Sequence, residues 1–140
     1  MKTTFKFGFV AIIIASVMLS SCGKYDEGPK LSLASKKGRA VNTWKLVKYI
    51  SNGVEQNISG YTAVFDLKKD NSYTATYTVG GFAVTETGSW DFNSDKSALV
   101  TTPVGSSSAT TATILRLTSN ELWTKETDGS DTDEYHYKTN

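Results

Sequence analysis

An all-β domain, a small antiparallel up-and-down barrel of about eight strands, is the fold class this sequence predicts. Three observations point to it. Turn signals recur at short, regular intervals: Asn52-Gly53, Ser59-Gly60, "KKDN" at 68–71, Gly80-Gly81, "NSDK" at 93–96, "PVGSSS" at 103–108, "TSN" at 118–120 and Asp128-Gly129. The residues between them are mainly Thr, Val, Tyr, Phe and Trp, which fit a pleated surface. Two segments alternate strictly. "SYTATYTV" sets Tyr73, Ala75, Tyr77 and Val79 against Ser72 and three threonines. "FAVTETGSWDF" sets Phe82, Val84, Glu86, Gly88, Trp90 and Phe92 against Ala83, Thr85, Thr87, Ser89 and Asp91. A period of two means one packed face and one wet face.

Taken in order, a short helix within residues 31–40 precedes Trp44, and no later segment sustains a 3.6-residue period. Strands follow near 43–50, 61–67, 72–79, 82–92, 97–102, 109–117, 121–127 and 132–138, with a short, weaker one at 54–58. Hairpin-length turns favour an up-and-down barrel, because closure removes the unpaired edges of an open meander. A seven-stranded immunoglobulin-like sandwich is the rival, and it would need longer crossings between sheets. Closure requires the strand at 132–138 to pair with the strand at 43–50. That would set "DTDEYHYK" beside Lys45 and Lys48.

The chain opens differently. Lys2 and Lys6 form a positive region, Phe7 to Leu19 an apolar run, and Ser20-Ser21 a small-residue boundary. That is the layout of a bacterial export signal peptide, and the run is too short for a comfortable membrane span. The sole cysteine, Cys22, comes next, so no disulfide forms within the chain. "LSSC", Leu19 to Cys22, resembles the lipobox of bacterial lipoproteins. The resemblance implies that Cys22 becomes the mature N-terminus, carrying a thioether-linked diacylglycerol and an amide-linked acyl chain such as palmitate. One acyl chain binds a membrane only marginally, whereas three hold essentially permanently. Lys24 with Asp26 and Glu27 is similar to the sorting signals of surface-exposed lipoproteins in Bacteroidetes. A solvated tether explains the same residues, so the periplasmic and the cell-surface face of the outer membrane both stay open.

The organisation expected is a removed signal peptide over 1–21, a lipidated tether over 22–40 and a barrel domain over 41–140. The 119 residues left after signal removal suffice for one domain burying about 65% of its unfolded surface. The signal takes two lysines and no acid, leaving thirteen basic residues against fourteen acidic ones. A near-neutral chain has no electrostatic footprint for nucleic acid. The charge is uneven: residues 24–48 hold seven Lys or Arg and two acids, and residues 121–140 hold six acids and two lysines. The basic segment "SKKGRAV" has three readings: contact with phospholipid headgroups, contact with the acidic C-terminal segment, or ordinary solvated surface.

Several features appear together in one order: Trp44 in "NTWKLVKY", the hairpin "AVFDLKKDNSYTATY", "TGSWDF" with Gly88 before Trp90, and "ILRLTSNELW". Residues 43 to about 126 thus resemble the lipocalin-like domains of many Bacteroidetes lipoproteins. The resemblance implies a small eight-stranded barrel in the cell envelope.

Catalysis by a nucleophile needs an activating base and an orienting group. His136 is the single histidine, it sits in "DTDEYHYK", and no G-x-S-x-G motif occurs. No catalytic residue, cofactor or metal site is expected. One histidine and one cysteine cannot make a zinc site, and "DGSDTDE" lacks the spacing of a calcium loop. Glu86 stands out, because it shares a face with Phe82, Val84 and Trp90, where a carboxylate is costly unless paired. Arg116, on the alternation face of Ile114, is one candidate partner and a ligand's polar group is another; a bulge near Gly88 would instead turn Glu86 to water. Tyr73, Tyr77, Phe82, Glu86, Trp90, Arg116 and Trp123 are therefore the candidate ligand-binding residues. The aromatic members are equally consistent with plain core, since an eight-stranded barrel either fills itself or holds one small ligand. Two functions follow as expectations. The first is a non-catalytic, lipid-anchored lipoprotein that binds a small amphiphilic ligand. The alternative is an accessory or structural envelope protein with a solid barrel, whose loops bind a protein or glycan partner.

Overall fold

The turn residues end strands in the computed structural model, which describes residues 33–139. Cys22, the segment holding Lys24, Asp26 and Glu27, and the expected signal peptide lie outside the described residues. Helix α1 (Lys36–Ala40) is followed by β1 (Thr43–Ser51), β2 (Val54–Glu55), β3 (Tyr61–Leu67), β4 (Ser72–Val79) and β5 (Phe82–Phe92). Then come β6 (Ala98–Pro103), β7 (Thr110–Leu117), β8 (Glu121–Asp128) and β9 (Asp131–Thr139). All pairings are antiparallel between neighbours in sequence, except that β1 also pairs with β3 and β9. The result is a closed eight-stranded barrel with β2 as one extra short strand on β1.

Closure runs along most of β1, from Trp44↔Thr139 to Ser51↔Asp133. The charge argument for it is only partly realised. Lys45 lies opposite Lys138, and Lys48 forms its ion pair with Glu55 at 2.9 Å, not with the acids of β9. Backbone pairing and the apolar interior close the barrel; such surface ion pairs contribute little.

The two ends of the barrel differ. At one end the β3–β4, β5–β6 and β7–β8 turns are tight and built from side chain to backbone hydrogen bonds. Asp70 Oδ1 accepts from the Ser72 amide and hydroxyl, and Asp95 Oδ1 accepts from those of Ser97. The intervening Asn71 and Lys96 take left-handed φ values of 67° and 60°, so both turns are the same Asp-x-Ser device. Helix α1 lies over this end. Ser35 caps it by accepting from the Gly38 amide at 2.9 Å, and Ala40 is fully buried. The Trp44 indole N–H donates to the Ala40 carbonyl at 2.8 Å, and that of Trp90 to the Lys68 carbonyl at 3.0 Å. Around them Leu67, Tyr73, Leu117 and Leu122 complete a closed, apolar floor. Burying a Trp side chain removes ~200 Å² from water, about 5 kcal/mol at ~25 cal/mol per Å². The basic segment is therefore a plug. Lys36 and Lys37 lie over the Phe92 and Trp90 rings and bond the β5–β6 and β3–β4 turns, away from the acidic C-terminal segment.

The opposite end carries the β4–β5, β6–β7 and β8–β9 turns and stays open. Gly80 and Gly81 both hold positive φ (56° and 86°), which a two-residue hairpin of the right twist requires. The outer wall presents Lys45, Thr62, Thr74, Thr85 and Lys125, so this is a polar-outside, apolar-inside barrel. No helix among the described residues is long and apolar enough to cross a membrane.

Two bulges break the alternation. One lies between Leu46 and Lys48 on β1, the other between Ile114 and Arg116 on β7. Each inserts one residue, which moves the following side chains to the other face.

Candidate functional site

Inward-facing side chains are large near the floor and small above it. Ala63, Thr101, Ala112 and Thr124 occupy the upper inward positions, so the barrel is not filled. A cavity of about 310 Å³ remains, opening toward the β4–β5 and β8–β9 turns. Its lower wall is apolar: Leu46, Phe65, Leu67, Trp90, Leu99 and Leu122. Its upper wall holds Tyr61, Tyr77, Glu86, Thr101, Thr110 and Glu126, with Tyr135 on the β9 side; Tyr137 lies lower, between Leu46 and Leu122.

Glu86 faces inward. The β4–β5 ladder runs without interruption from Ser72↔Ser89 to Val79↔Phe82, and Glu86 lies opposite the fully buried Ala75. No bulge at Gly88 turns it outward. Its partner is the Tyr73 phenol, which donates to Glu86 Oε1 at 2.6 Å. Gly88 makes this possible: a Cβ there would stand 2.5 Å from Tyr73 Cε1 and 2.2 Å from the Thr102 carbonyl oxygen. The Tyr73 ring fills the space a side chain would take and stacks on Phe65 at 5.4 Å.

A pair of facing carboxylates sits at the mouth on the β8–β9 side. Glu126 on β8 is directly opposite Asp133 on β9. Asp133 accepts from the Tyr49 phenol at 2.8 Å, and the Tyr49 ring stacks on Tyr135 at 5.1 Å. The bulge at Val47 is what brings Tyr49 to this inner face. Burial, reinforced by the charge of Asp133, raises the Glu126 carboxyl above its ordinary range. Tyr77 is pushed up to about 12, first by burial and then by the charge of Glu86. Tyr73, Tyr135 and Tyr137 are also raised, each mainly by burial. These phenols are neutral hydrogen-bond donors at any physiological pH.

Of the seven residues singled out in the sequence, Tyr77, Glu86 and Trp90 line the cavity, and Tyr73 lies directly behind Glu86. Three are placed elsewhere. Arg116 is outside, because the β7 bulge separates its face from that of Ile114; it pairs with Glu121 at 2.7 Å. Trp123, its cross-strand partner, is also outside, lying between the Arg116 guanidinium and the His136 ring, on which it stacks at 4.1 Å. Arg116 is thus no partner of Glu86. Phe82 is on the inward side of β5, but that strand overhangs the rim and leaves Phe82 83% exposed. The cavity residues not foreseen are mainly Tyr61, Glu126, Tyr135 and Tyr137. Strict alternation in "DTDEYHYK", "ELWTKETD" and "YTAVFDL", read as it was for β4 and β5, marks all four. No protein-family model matches this chain, and no curated protein matches it.

Proposed function

We propose that this chain is a lipid-anchored, lipocalin-like lipoprotein of the bacterial outer membrane whose barrel binds a small amphiphilic molecule without transforming it. One observation carries the binding reading: a one-ended cavity of about 310 Å³ with an apolar lower wall and a hydrogen-bonding mouth. That volume is at the small end for a ligand pocket, equal to about ten waters at ~30 Å³ each. A short apolar body with one polar end suits it. The anchor rests on the signal-like segment and Cys22. The fourteen residues from Cys22 to Ser35 span at most ~50 Å and join the domain at its plugged end, which leaves the mouth free to face away from the membrane.

The test is a calorimetric titration with n-hexanol. One saturable site per chain is expected, abolished by Ala112→Phe, which fills the upper cavity while the domain stays folded. Absence of saturable binding to the folded wild-type domain refutes the reading. A second reading, docking of an envelope partner, is favoured by Val79, Phe82 and Val84, which are exposed together at the β4–β5 overhang. Crosslinking from that hairpin to a single envelope protein, with no hexanol site, would support it instead.

A further inference from the structure

The chemistry of the cavity wall goes further than its shape. Eighteen residues line it, and among them are two carboxylates, four tyrosines and no lysine, arginine or histidine. A third carboxylate, Asp133, stands directly opposite Glu126 at the rim. Like charges facing each other across two strands destabilise a sheet. A carboxylate inside a barrel is costly unless something compensates it. The compensation present is partial. Glu86 and Asp133 each accept one phenol hydrogen bond, whereas a carboxylate has about four acceptor sites. Among the described residues no cationic side chain reaches the cavity wall. Arg116 is committed to Glu121 outside, and Lys48 to Glu55.

We infer that the ligand is a small organic cation, an amine or quaternary ammonium on a short apolar body, with its charge held at the mouth between Glu86 and the Glu126–Asp133 pair. This rests on the ligand-binding reading above and specifies its substrate class. The tyrosines fit the same ligand. Tyr77 feels the charges of both Glu86 and Glu126, and Tyr61 and Tyr135 stand beside it at the mouth. Ring faces attract a desolvated cation, and these three phenols beside the carboxylates form a cage that is negative without being strongly hydrated. The apolar wall of Leu46, Phe65, Leu99 and Leu122 beneath takes the hydrocarbon part. An anionic amphiphile such as a short fatty acid would bring a fourth carboxylate into the same mouth, and the cavity therefore excludes it.

The test is a matched series of probes with a six-carbon chain: n-hexylammonium, n-hexyltrimethylammonium, n-hexanol and n-hexanoate, titrated calorimetrically at neutral pH into the wild-type protein. Both cations are expected to bind about tenfold or more tighter than hexanol, the scale of one added charged contact, and hexanoate more weakly than hexanol. Glu126→Gln and Glu86→Gln should each weaken the cations toward hexanol while leaving hexanol affinity unchanged. Glu55→Gln, at an exposed carboxylate on β2, should change none of the four. Equal affinity for cations and hexanol, or tighter hexanoate binding, overturns the cation inference while the amphiphile reading stands. If hexanol and the cations all fail to bind the folded protein, both fall together.

Discussion

Replacing Gly88 by alanine tests the packing that holds the site. The added Cβ would lie 2.2 Å from the Thr102 carbonyl oxygen, 2.5 Å from Tyr73 Cε1 and 2.9 Å from Pro103 Cα. Two of these three neighbours are backbone of the adjacent strand, which cannot swing aside. The third is the ring whose hydroxyl bonds Glu86. Overpacking of this kind costs ~1–3 kcal/mol, and weakening a hydrogen bond to a charged group adds roughly 1.5 kcal/mol. The gain from replacing a strand glycine offsets ~0.5–1 kcal/mol. The expected net loss is about 3 kcal/mol. With an m-value of ~2 kcal/mol per M, the urea midpoint should fall by about 1.5 M. Gly81→Ala is the comparison, because its Cβ would meet nothing within 4 Å and only its φ of 86° is unfavourable. That change should cost about 1–2 kcal/mol. Urea unfolding followed by tryptophan emission measures both. If Gly88→Ala costs no more than Gly81→Ala, the close approach of β5, β6 and the Tyr73 ring is not what fixes the site.

Tyr73→Phe should leave Glu86 without its donor and destabilise the fold by ~1–3 kcal/mol, read as a urea midpoint shift that Glu86→Gln in the same background partly reverses. Glu126 has its folded pKa raised above the ordinary 4.5, so the folded state holds its proton more tightly than the unfolded chain. Its contribution to stability is therefore complete below pH ~4.5 and is lost as pH rises through the folded value. Thermal unfolding from pH 4 to 8 should show wild type losing stability relative to Glu126→Gln across that interval; parallel curves would contradict the burial of this group. Tyr77, at about 12, and the more strongly raised Tyr135 and Tyr137 should stay protonated well past pH 10, so their share of the tyrosinate absorbance should appear late and together with alkaline unfolding. Ending the chain after Gly129 removes β9, leaves edges on β1 and β8 and opens the cavity. Circular dichroism should then show loss of the cooperative transition, whereas a truncated domain of full stability would mean that closure contributes nothing.

Strand positions were legible because the punctuation is local. Asn-Gly, Gly-Gly, Asp-Gly and the two Asp-x-Ser turns each act within four residues, and the eight barrel strands fall within one residue of their expected limits, while the short strand expected at 54–58 spans only Val54–Glu55. Alternation leaves Glu86 either inward or, with a bulge near Gly88, in water; the unbroken β4–β5 ladder decides for inward. What the sequence hid is non-local. The bulges at Val47 and Leu115 reverse the alternation, and nothing in "WKLVK" or "TILRL" announces an extra residue. Arg116 therefore reads as interior and stands outside, while Tyr49 reaches the inner face; Trp123 needs no bulge, since alternation along β8 sets Leu122, Thr124 and Glu126 inside and Trp123 outside. Phe82 was misplaced for another reason: alternation gives the face of a strand and not its height, and β5 is longer than the barrel is tall. Tyr61 shares the alternation face of Ala63, Phe65 and Leu67 in β3, and that face lines the cavity. The distinction between a filled and a hollow barrel depends on small residues gathering at one level from four strands, Ala63, Thr101, Ala112 and Thr124, and no single segment carries that signal.

The central claim is that the hollow is a binding site, and the three indole N–H resonances test it most directly. Trp90 lines the cavity, Trp44 is buried beneath α1, and Trp123 is stacked on the outer wall. Titrating isotope-labelled protein with n-hexylammonium should shift Trp90 saturably at one equivalent and leave Trp44 and Trp123 unmoved. A shift of Trp123 alone, equal drift of all three, or no shift at ligand saturation of the solution would contradict the account.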